Sequence, residues 1–198
     1  MIRRVPIIPT IVVLAAVATM IGLGIWQLQR AQWKEGLLAQ FREAETLPPI
    51  TWPTTPIKGD QLPLFRQATG VCLRAIGKRA VAGENRAGEP GYVQIIDCAT
   101  GAEGPGMSVE VGWSKNPNAR PDWRGGLVSG IIAPDRLTRM RLVAATAPPG
   151  LEPSAPPSIA SIPNNHRGYA IQWFSFAAVA LIIYGLAVRK RLREESKV

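Results

Sequence analysis

The stretch PTIVVLAAVATMIGLGIWQL, residues 9–28, contains 20 residues without a charge, and YAIQWFSFAAVALIIYGLAV, residues 169–188, is a second such stretch. A helix rises about 1.5 Å per residue, so 20 residues span about 30 Å, the thickness of a bilayer's hydrocarbon core. A soluble core helix of this length would keep a polar face, and neither stretch has one. The sequence therefore predicts two transmembrane helices.

The first apolar stretch has the alternative interpretation of a cleaved signal peptide, because Arg3 and Arg4 precede it. It is longer than the apolar region of a typical signal peptide, which has about 7–15 residues. It also continues into WQLQRAQWKEGLLAQF, residues 26–41, which is typical of a continuing helix rather than of a cleavage site. We therefore expect a retained membrane anchor.

The distribution of charge indicates the topology. Seven of the 23 Lys and Arg residues lie in residues 1–8 and 189–198, together with only two acidic residues. Since basic residues stay on the cytoplasmic side, both termini are expected in the cytoplasm and residues 29–168 outside it. The net charge of +9 is therefore mostly a signature of topology, and we expect a lipid bilayer and no nucleic acid as partner.

Between the apolar stretches the sequence predicts a β domain. The first helix is expected to continue to about residue 45, before Pro48 and Pro49. Short apolar runs, several of them alternating with polar residues and separated by Gly and Pro, then predict five strands, at residues 71–76, 92–98, 107–113, 127–133 and 139–146. Such strands favour a small antiparallel sheet, curled into a barrel or sandwich.

The predicted fold class is thus a membrane α+β protein, with two transmembrane helices around a small external β domain. The expected organisation is a cytoplasmic N-terminus (1–8), transmembrane helix 1 (9–28), the external β domain (46–146), a Pro-rich tether (147–168), transmembrane helix 2 (169–188) and a basic cytoplasmic tail (189–198).

His166 is the only histidine and lies in the sequence NNHR, just before the second helix. Two interpretations are open: a polar interfacial residue at a helix start, or an axial ligand of haem iron, a common role of imidazole. Arg30, Lys34 and Arg167 fall at the same predicted interface. These cations could pair with haem propionates or anchor the helices by snorkelling.

The remaining reactive side chains do not predict an enzyme. Cys72 and Cys98 lie in predicted strands, where a disulfide and two buried thiols are both open. The carboxylates are scattered singly along the β domain, where solvated positions are expected. The sequence contains no nucleophile motif, no P-loop lysine motif and no second histidine.

Two motifs resemble those of a known family, the Surfeit-locus cytochrome c oxidase assembly factors, called Shy proteins in bacteria. Residues 24–34, GIWQLQRAQWK, are similar to the family's G-x-W-Q-L-x-R-x-x-W-K, and residues 164–174, NNHRGYAIQWF, to N-N-H-x-x-Y-A-x-x-W-[FY]. The β domain matches less: residues 91–95 resemble only the start of G-Y-x-V-I-T-P-L, and Val111 replaces the arginine of V-x-R-G-W.

The resemblance implies an assembly factor that inserts or protects haem a in the catalytic subunit of a haem–copper oxidase, with His166 as candidate axial ligand. It implies that subunit and other assembly factors as partners, and the bacterial inner (plasma) membrane as location, with the central domain periplasmic. Tyr169 and Trp173 lie on roughly the same helix face as His166, where they could flank the porphyrin or pack against the first helix. The alternative function is an accessory partner that stays with the mature oxidase or a respiratory supercomplex, and a haem-modifying enzyme is a weaker one.

Overall fold

The computed structural model describes residues 6–58, 61–101 and 106–194. The chain divides into two compact units, here called the helical unit (Met1–Leu37 with Pro163–Val198) and the sheet unit (Leu38–Ile162). Arg3 and Arg4 of the predicted N-terminus, and residues 195–198 of the predicted basic tail, lie outside the described residues.

The helical unit is built from two long apolar helices. Helix α1 spans Ile7–Thr46 and helix α2 spans His166–Glu194. By length and composition, both are able to cross a membrane. Large apolar side chains such as Ile11 and Ile183 are more than half exposed, and apolar surface of this extent is stable in lipid rather than in water. The two predicted membrane helices are thus present, and their surfaces suggest insertion in a bilayer.

The two helices run antiparallel. The hydroxyl groups of Thr10 and Tyr184 share a hydrogen bond near one end of the pair. Closer to the other end, Gly24 lies against the aromatic ring of Phe174. Consequently the beginning of α1 and the end of α2 lie at the same end of the helical unit.

The sheet unit contains one seven-stranded sheet, with the strand order β1-β2-β6-β7-β5-β4-β3. Its strands are β1 (Ile50–Thr51), β2 (Gln67–Cys72), β3 (Arg74–Glu84), β4 (Pro90–Ala99), β5 (Met107–Ser114), β6 (Gly126–Asp135) and β7 (Arg139–Ala144). Four of the five predicted strands each correspond to one observed strand. The predicted strand 71–76 is wrong, because the chain leaves β2 at Cys72 and enters β3 at Arg74.

Two features of the sheet differ from the predicted antiparallel sheet curled into a barrel or sandwich. First, the sheet is mixed: β1 pairs with β2 in parallel, and β5 pairs with β7 in parallel, because β7 rather than β6 lies next to β5. Second, among the described strands the sheet does not close. β2 and β3 are separated by Leu73 alone, but β2 pairs with β1 and β6, whereas β3 pairs with β4 and lies at the far edge of the sheet.

A disulfide spans the place where the sheet stays open. Cys72 of β2 and Cys98 of β4 are bonded, with their Cα atoms 5.3 Å apart, and both side chains are buried in the main core. Beside it, the Leu73 N–H donates to the Ala99 carbonyl at 3.0 Å. Closing a loop of 26 residues stabilises a fold by about 3–4 kcal/mol in the chain-entropy account. Of the two states open from the sequence, the structure has the disulfide.

The Pro-rich segment after β7 is extended, as predicted, but it is bound to the sheet unit. Glu152 and Trp113 exchange two backbone hydrogen bonds, of 2.7 and 2.9 Å, and the Ala155 N–H donates to the Glu84 carbonyl at 2.9 Å. Further along, Ile159 is buried in a small apolar cluster with Leu38, near the end of α1. The segment is therefore part of the folded unit as far as Ile162.

A chain of charged side chains crosses the sheet, although the sequence predicts separate, solvated carboxylates there. Arg79 lies between Asp97, at 3.0 Å, and Asp135, at 2.9 Å. Arg141 lies between Asp135, at 3.5 Å, and Glu110, at 2.6 Å. The side chains of Asp135 and Glu110 are only 6% and 3% exposed. The expectation of solvation is wrong for these carboxylates, because strands distant in sequence bring them to the two arginines.

The pKa of Asp135 reflects this environment. Burial raises it, but the hydrogen bonds donated by Thr138 and Leu137 and the charge of Arg79 outweigh burial. As a result, the pKa lies below its ordinary value of 3.8. A lowered folded-state pKa means that the ionised carboxylate stabilises the fold above about pH 4, and that this stabilisation is lost as the pH falls through the folded-state pKa.

We therefore expect Asp135→Asn to lower the free energy of unfolding at pH 7 by about 1–3 kcal/mol. Between pH 5 and pH 3, the free energy of unfolding should fall less in this variant than in the wild type. Urea denaturation of the full chain in detergent, at several pH values, measures both. The matched control is Asp122→Asn, because the Asp122 side chain is 87% exposed and its ion-pair partner Arg124 is 92% exposed. An acid-induced decrease as steep in Asp135→Asn as in the wild type would contradict the assignment.

Candidate functional site

The two sequence motifs meet in the helical unit. Helix α2 begins at His166, and its first turn closes when the Tyr169 N–H donates to the Asn165 carbonyl at 3.1 Å. The imidazole Nδ1 of His166 is 2.8 Å from Oε1 of Gln27, on α1. Among the described residues, no side chain or backbone group is hydrogen-bonded to the other ring nitrogen, Nε2. The histidine is thus held by one nitrogen.

Gln27 is a site residue that was not predicted from the sequence. It lies in the GIWQL part of the first motif, so the signal was present in the sequence. What the sequence does not contain is the pairing, because 139 residues separate Gln27 from His166.

The three predicted cations lie in the same part of the helical unit, and each has a different partner. Arg167 forms a two-pronged ion pair with Glu35, with two N–O distances of 2.9 Å. The Lys34 ammonium donates to the Pro163 carbonyl. Arg30 places its guanidinium over the Trp33 ring, 4.0 Å from the centroid. Lys34 and Arg167 therefore connect α1 to the start of α2.

Arg30 is the cation best able to bind an additional anion. Its side chain is exposed, and within the described parts of the chain it forms no ion pair. A guanidinium can bind a carboxylate through two parallel hydrogen bonds while it remains stacked on an aromatic ring. An exposed pair such as Arg167–Glu35 contributes at most about 1 kcal/mol, so its main effect is positional.

The two predicted aromatic residues do not share one environment. Tyr169 is 51% exposed. Trp173 is half-buried and meets the edge of Phe176 on its own helix, with ring centroids 6.3 Å apart. The aromatic contact with α1 is made by a neighbouring residue, Phe174, at Gly24.

Comparison with known proteins identifies the family of the chain. The family model described as the SURF1 family matches residues 14–178. This chain belongs to the SURF1 family. No curated protein matches it. The match confirms the resemblance to the Surfeit-locus factors. The SURF1 family is an assembly-factor family, associated with the assembly of cytochrome c oxidase and with membranes.

Within residues 6–58, 61–101 and 106–194, no group of three or more His, Cys, Asp or Glu side chains is arranged to hold a metal ion. A haem differs from a bare ion, because its porphyrin supplies four of the iron ligands and the protein need supply only one imidazole. The donor set at His166 is compatible with such a ligand.

Gly24 of the first SURF1-family motif lies against the ring of Phe174 in the second motif. A Cβ atom added to Gly24 would lie 2.6 Å from Cε1 of the Phe174 ring. Real side chains do not approach so closely, so either the ring or the helix would have to move. One turn further along α1 is Gln27, so the same approach of the helices brings the amide to the imidazole.

We expect Gly24→Ala to weaken the pairing of the helices and Gly22→Ala to leave it intact, because a Cβ at Gly22 would have no atom within 4 Å. Both variants gain the same intrinsic helix propensity, about 1 kcal/mol. The difference between them therefore isolates the steric effect, which we expect to be about 1–3 kcal/mol in favour of the Gly22 variant. Unfolding by SDS, followed by circular dichroism, measures it; equal stabilities would contradict the contact.

Proposed function

We propose that this protein assists the assembly of cytochrome c oxidase by holding haem a transiently, as cargo, for the catalytic subunit. The observation that carries this proposal is the position of the only histidine. His166 lies where the two most specific family motifs meet, and it is oriented through one ring nitrogen while the other has no partner in the described structure.

The surrounding side chains support a role in binding a porphyrin. The His166 imidazole would supply an axial ligand to the iron. Arg30 would bind a propionate, while the contacts of Lys34 and Arg167 keep the start of α2 beside α1. Tyr169, which is half-exposed, would cover part of the ring system. A single imidazole and an exposed cation would bind haem with low affinity. Low affinity suits a haem that must be passed on to the catalytic subunit.

The same proposal includes an orientation in the bacterial inner membrane. We infer that both termini are cytoplasmic and that the sheet unit is periplasmic. Basic residues at the C-terminal end of α2 support this orientation; they include Arg191 and Arg193 in its last turn. The Cys72–Cys98 disulfide supports it independently, because structural disulfides persist in the periplasm and are rare in the cytoplasm.

The orientation predicts that both cysteines are oxidised in growing cells. Cells are quenched with acid, and the protein is then unfolded in SDS with a maleimide of known mass. We expect no label on the wild-type chain and two labels after prior reduction, because the sequence contains only two cysteines. Two labels without reduction would argue that the sheet unit faces the cytoplasm.

A second candidate function is that of an accessory partner that stays bound to the mature oxidase. Membership of the family and the two helices fit this function as well. The two candidates differ in the amount of the protein in purified, active oxidase. We expect the protein to be absent from it, whereas a stoichiometric amount would favour the accessory partner.

The haem proposal predicts that protein purified from cells that make haem a carries this haem, and that His166→Ala loses most of it. The matched control is Gln172→Ala, which removes an exposed polar side chain from the same helix and should keep the haem. Absorption spectra of the purified proteins measure haem content and axial ligation. Identical haem content and ligation spectra in wild type and His166→Ala would show that the ligand is wrong.

The broader role in assembly is tested separately. In a strain that lacks the protein, we expect the catalytic subunit of the oxidase to contain less haem a than in the parent strain. Normal haem content in the deletion strain would count against an assembly function, whatever the purified protein binds.

A further inference from the structure

The hydrogen bond between Gln27 and His166 determines which ring nitrogen is free to bind. A carbonyl oxygen only accepts hydrogen bonds, so a nitrogen that is bonded to it must carry a proton. In the structure Oε1 of Gln27 is the atom that faces Nδ1 of His166, at 2.8 Å. A neutral imidazole has a single N–H, and therefore the lone pair that can bind a metal lies on Nε2.

We propose that Gln27 is a positioning residue that holds the proton of His166 on Nδ1 and thereby presents Nε2 to the iron of the bound haem. The statement about iron rests on the haem-binding function proposed above. The statement about the proton concerns this chain alone. Side chains that orient metal-binding histidines through the second ring nitrogen commonly contribute about 10–100-fold to metal affinity.

The group that faces the His166 imidazole is a neutral amide rather than a carboxylate. The acidic residue of α1 nearest in sequence to Gln27 is Glu35, and both of its carboxylate oxygens are bonded to Arg167. Glu35 is therefore paired with Arg167, and the acceptor that faces the imidazole is the neutral amide of Gln27. A neutral acceptor orients the ring without placing an anion beside it, and so it adds no negative charge at the binding position.

The position of Gln27 also couples the imidazole to the pairing of the helices. Gln27 belongs to α1, whereas His166 is the first residue of α2. Gly24, one turn before Gln27, permits the close approach at Phe174. The proton is thus held on Nδ1 only when the two helices are together.

The single histidine makes the proton position directly measurable. Protein labelled with ¹⁵N in histidine has one imidazole, so its two ring-nitrogen signals report His166 without further assignment. At about pH 8 and without haem, we expect the wild type to show a protonated Nδ1 and an unprotonated Nε2.

Two variants test the cause of this tautomer. Gln27→Leu removes the acceptor at similar size, and we expect it to lose the predominance of the Nδ1–H form. Gln27→Glu keeps a hydrogen-bond acceptor, and we expect it to retain the Nδ1–H tautomer. If Gln27 had a purely structural role, the tautomer would not depend on whether residue 27 is an acceptor. A wild type protonated on Nε2 would mean that the amide donates instead of accepting, and would overturn the proposal. An unchanged tautomer in Gln27→Leu would overturn it as well.

Haem titration of the same proteins separates this inference from the function on which it rests. We expect Gln27→Leu to bind haem about 10-fold more weakly than the wild type, and Gln27→Glu to bind at least as tightly as the wild type. If the tautomer changes as expected but the haem affinity of Gln27→Leu does not, the positioning role is overturned. If His166→Ala binds haem like the wild type while the tautomers behave as expected, the haem function fails and the proton assignment stands.

Discussion

At Gly24 the backbone of α1 lies so close to α2 that the ring of Phe174 occupies the place of a side chain. In a bilayer, helices of this kind gain nothing from burying apolar surface, because lipid is as apolar as their side chains. Their pairing depends instead on close packing and on a few interhelical hydrogen bonds. The bonds between Thr10 and Tyr184 and between Gln27 and His166 are of this type, so the chemistry at His166 depends on the packing at Gly24.

The sheet unit is stabilised in a different way. Strand β5 lies at the centre of its core, and seven of the eight residues of β5 are buried. Val111, which stands where the family usually has an arginine, belongs to that core and is only 2% exposed. An apolar side chain is the one that such a position accepts without a partner. Elsewhere in the sheet unit, Arg79 and Arg141 form ion pairs with the buried carboxylates of Asp135 and Glu110.

The sequence predicted the individual elements well, because each depends on local patterns. Twenty uncharged residues at each end predicted the helices, and alternating residues predicted most of the strands. The strand predicted at 71–76 was wrong, since the local pattern does not show that β2 ends at Cys72 and β3 begins at Arg74. Of the predicted barrel or sandwich, a closed barrel is not formed by the described strands: the two-residue strand β1, which has no sequence signal of its own, lies at one edge of the sheet, and β3 lies at the other.

By itself the sequence determined that the chain has two apolar helices around a β domain, that it resembles the Surfeit-locus factors, and that His166 is the candidate ligand. These conclusions follow from hydropathy, spacing and residue type, which are properties of short segments. Only the tertiary structure decided that Cys72 is bonded to Cys98, that Asp135 is buried between two arginines, and that Gln27 faces His166. Each of these contacts joins residues that are remote in the chain, and a hydrogen bond or disulfide forms only where folding brings two such atoms within a few ångströms.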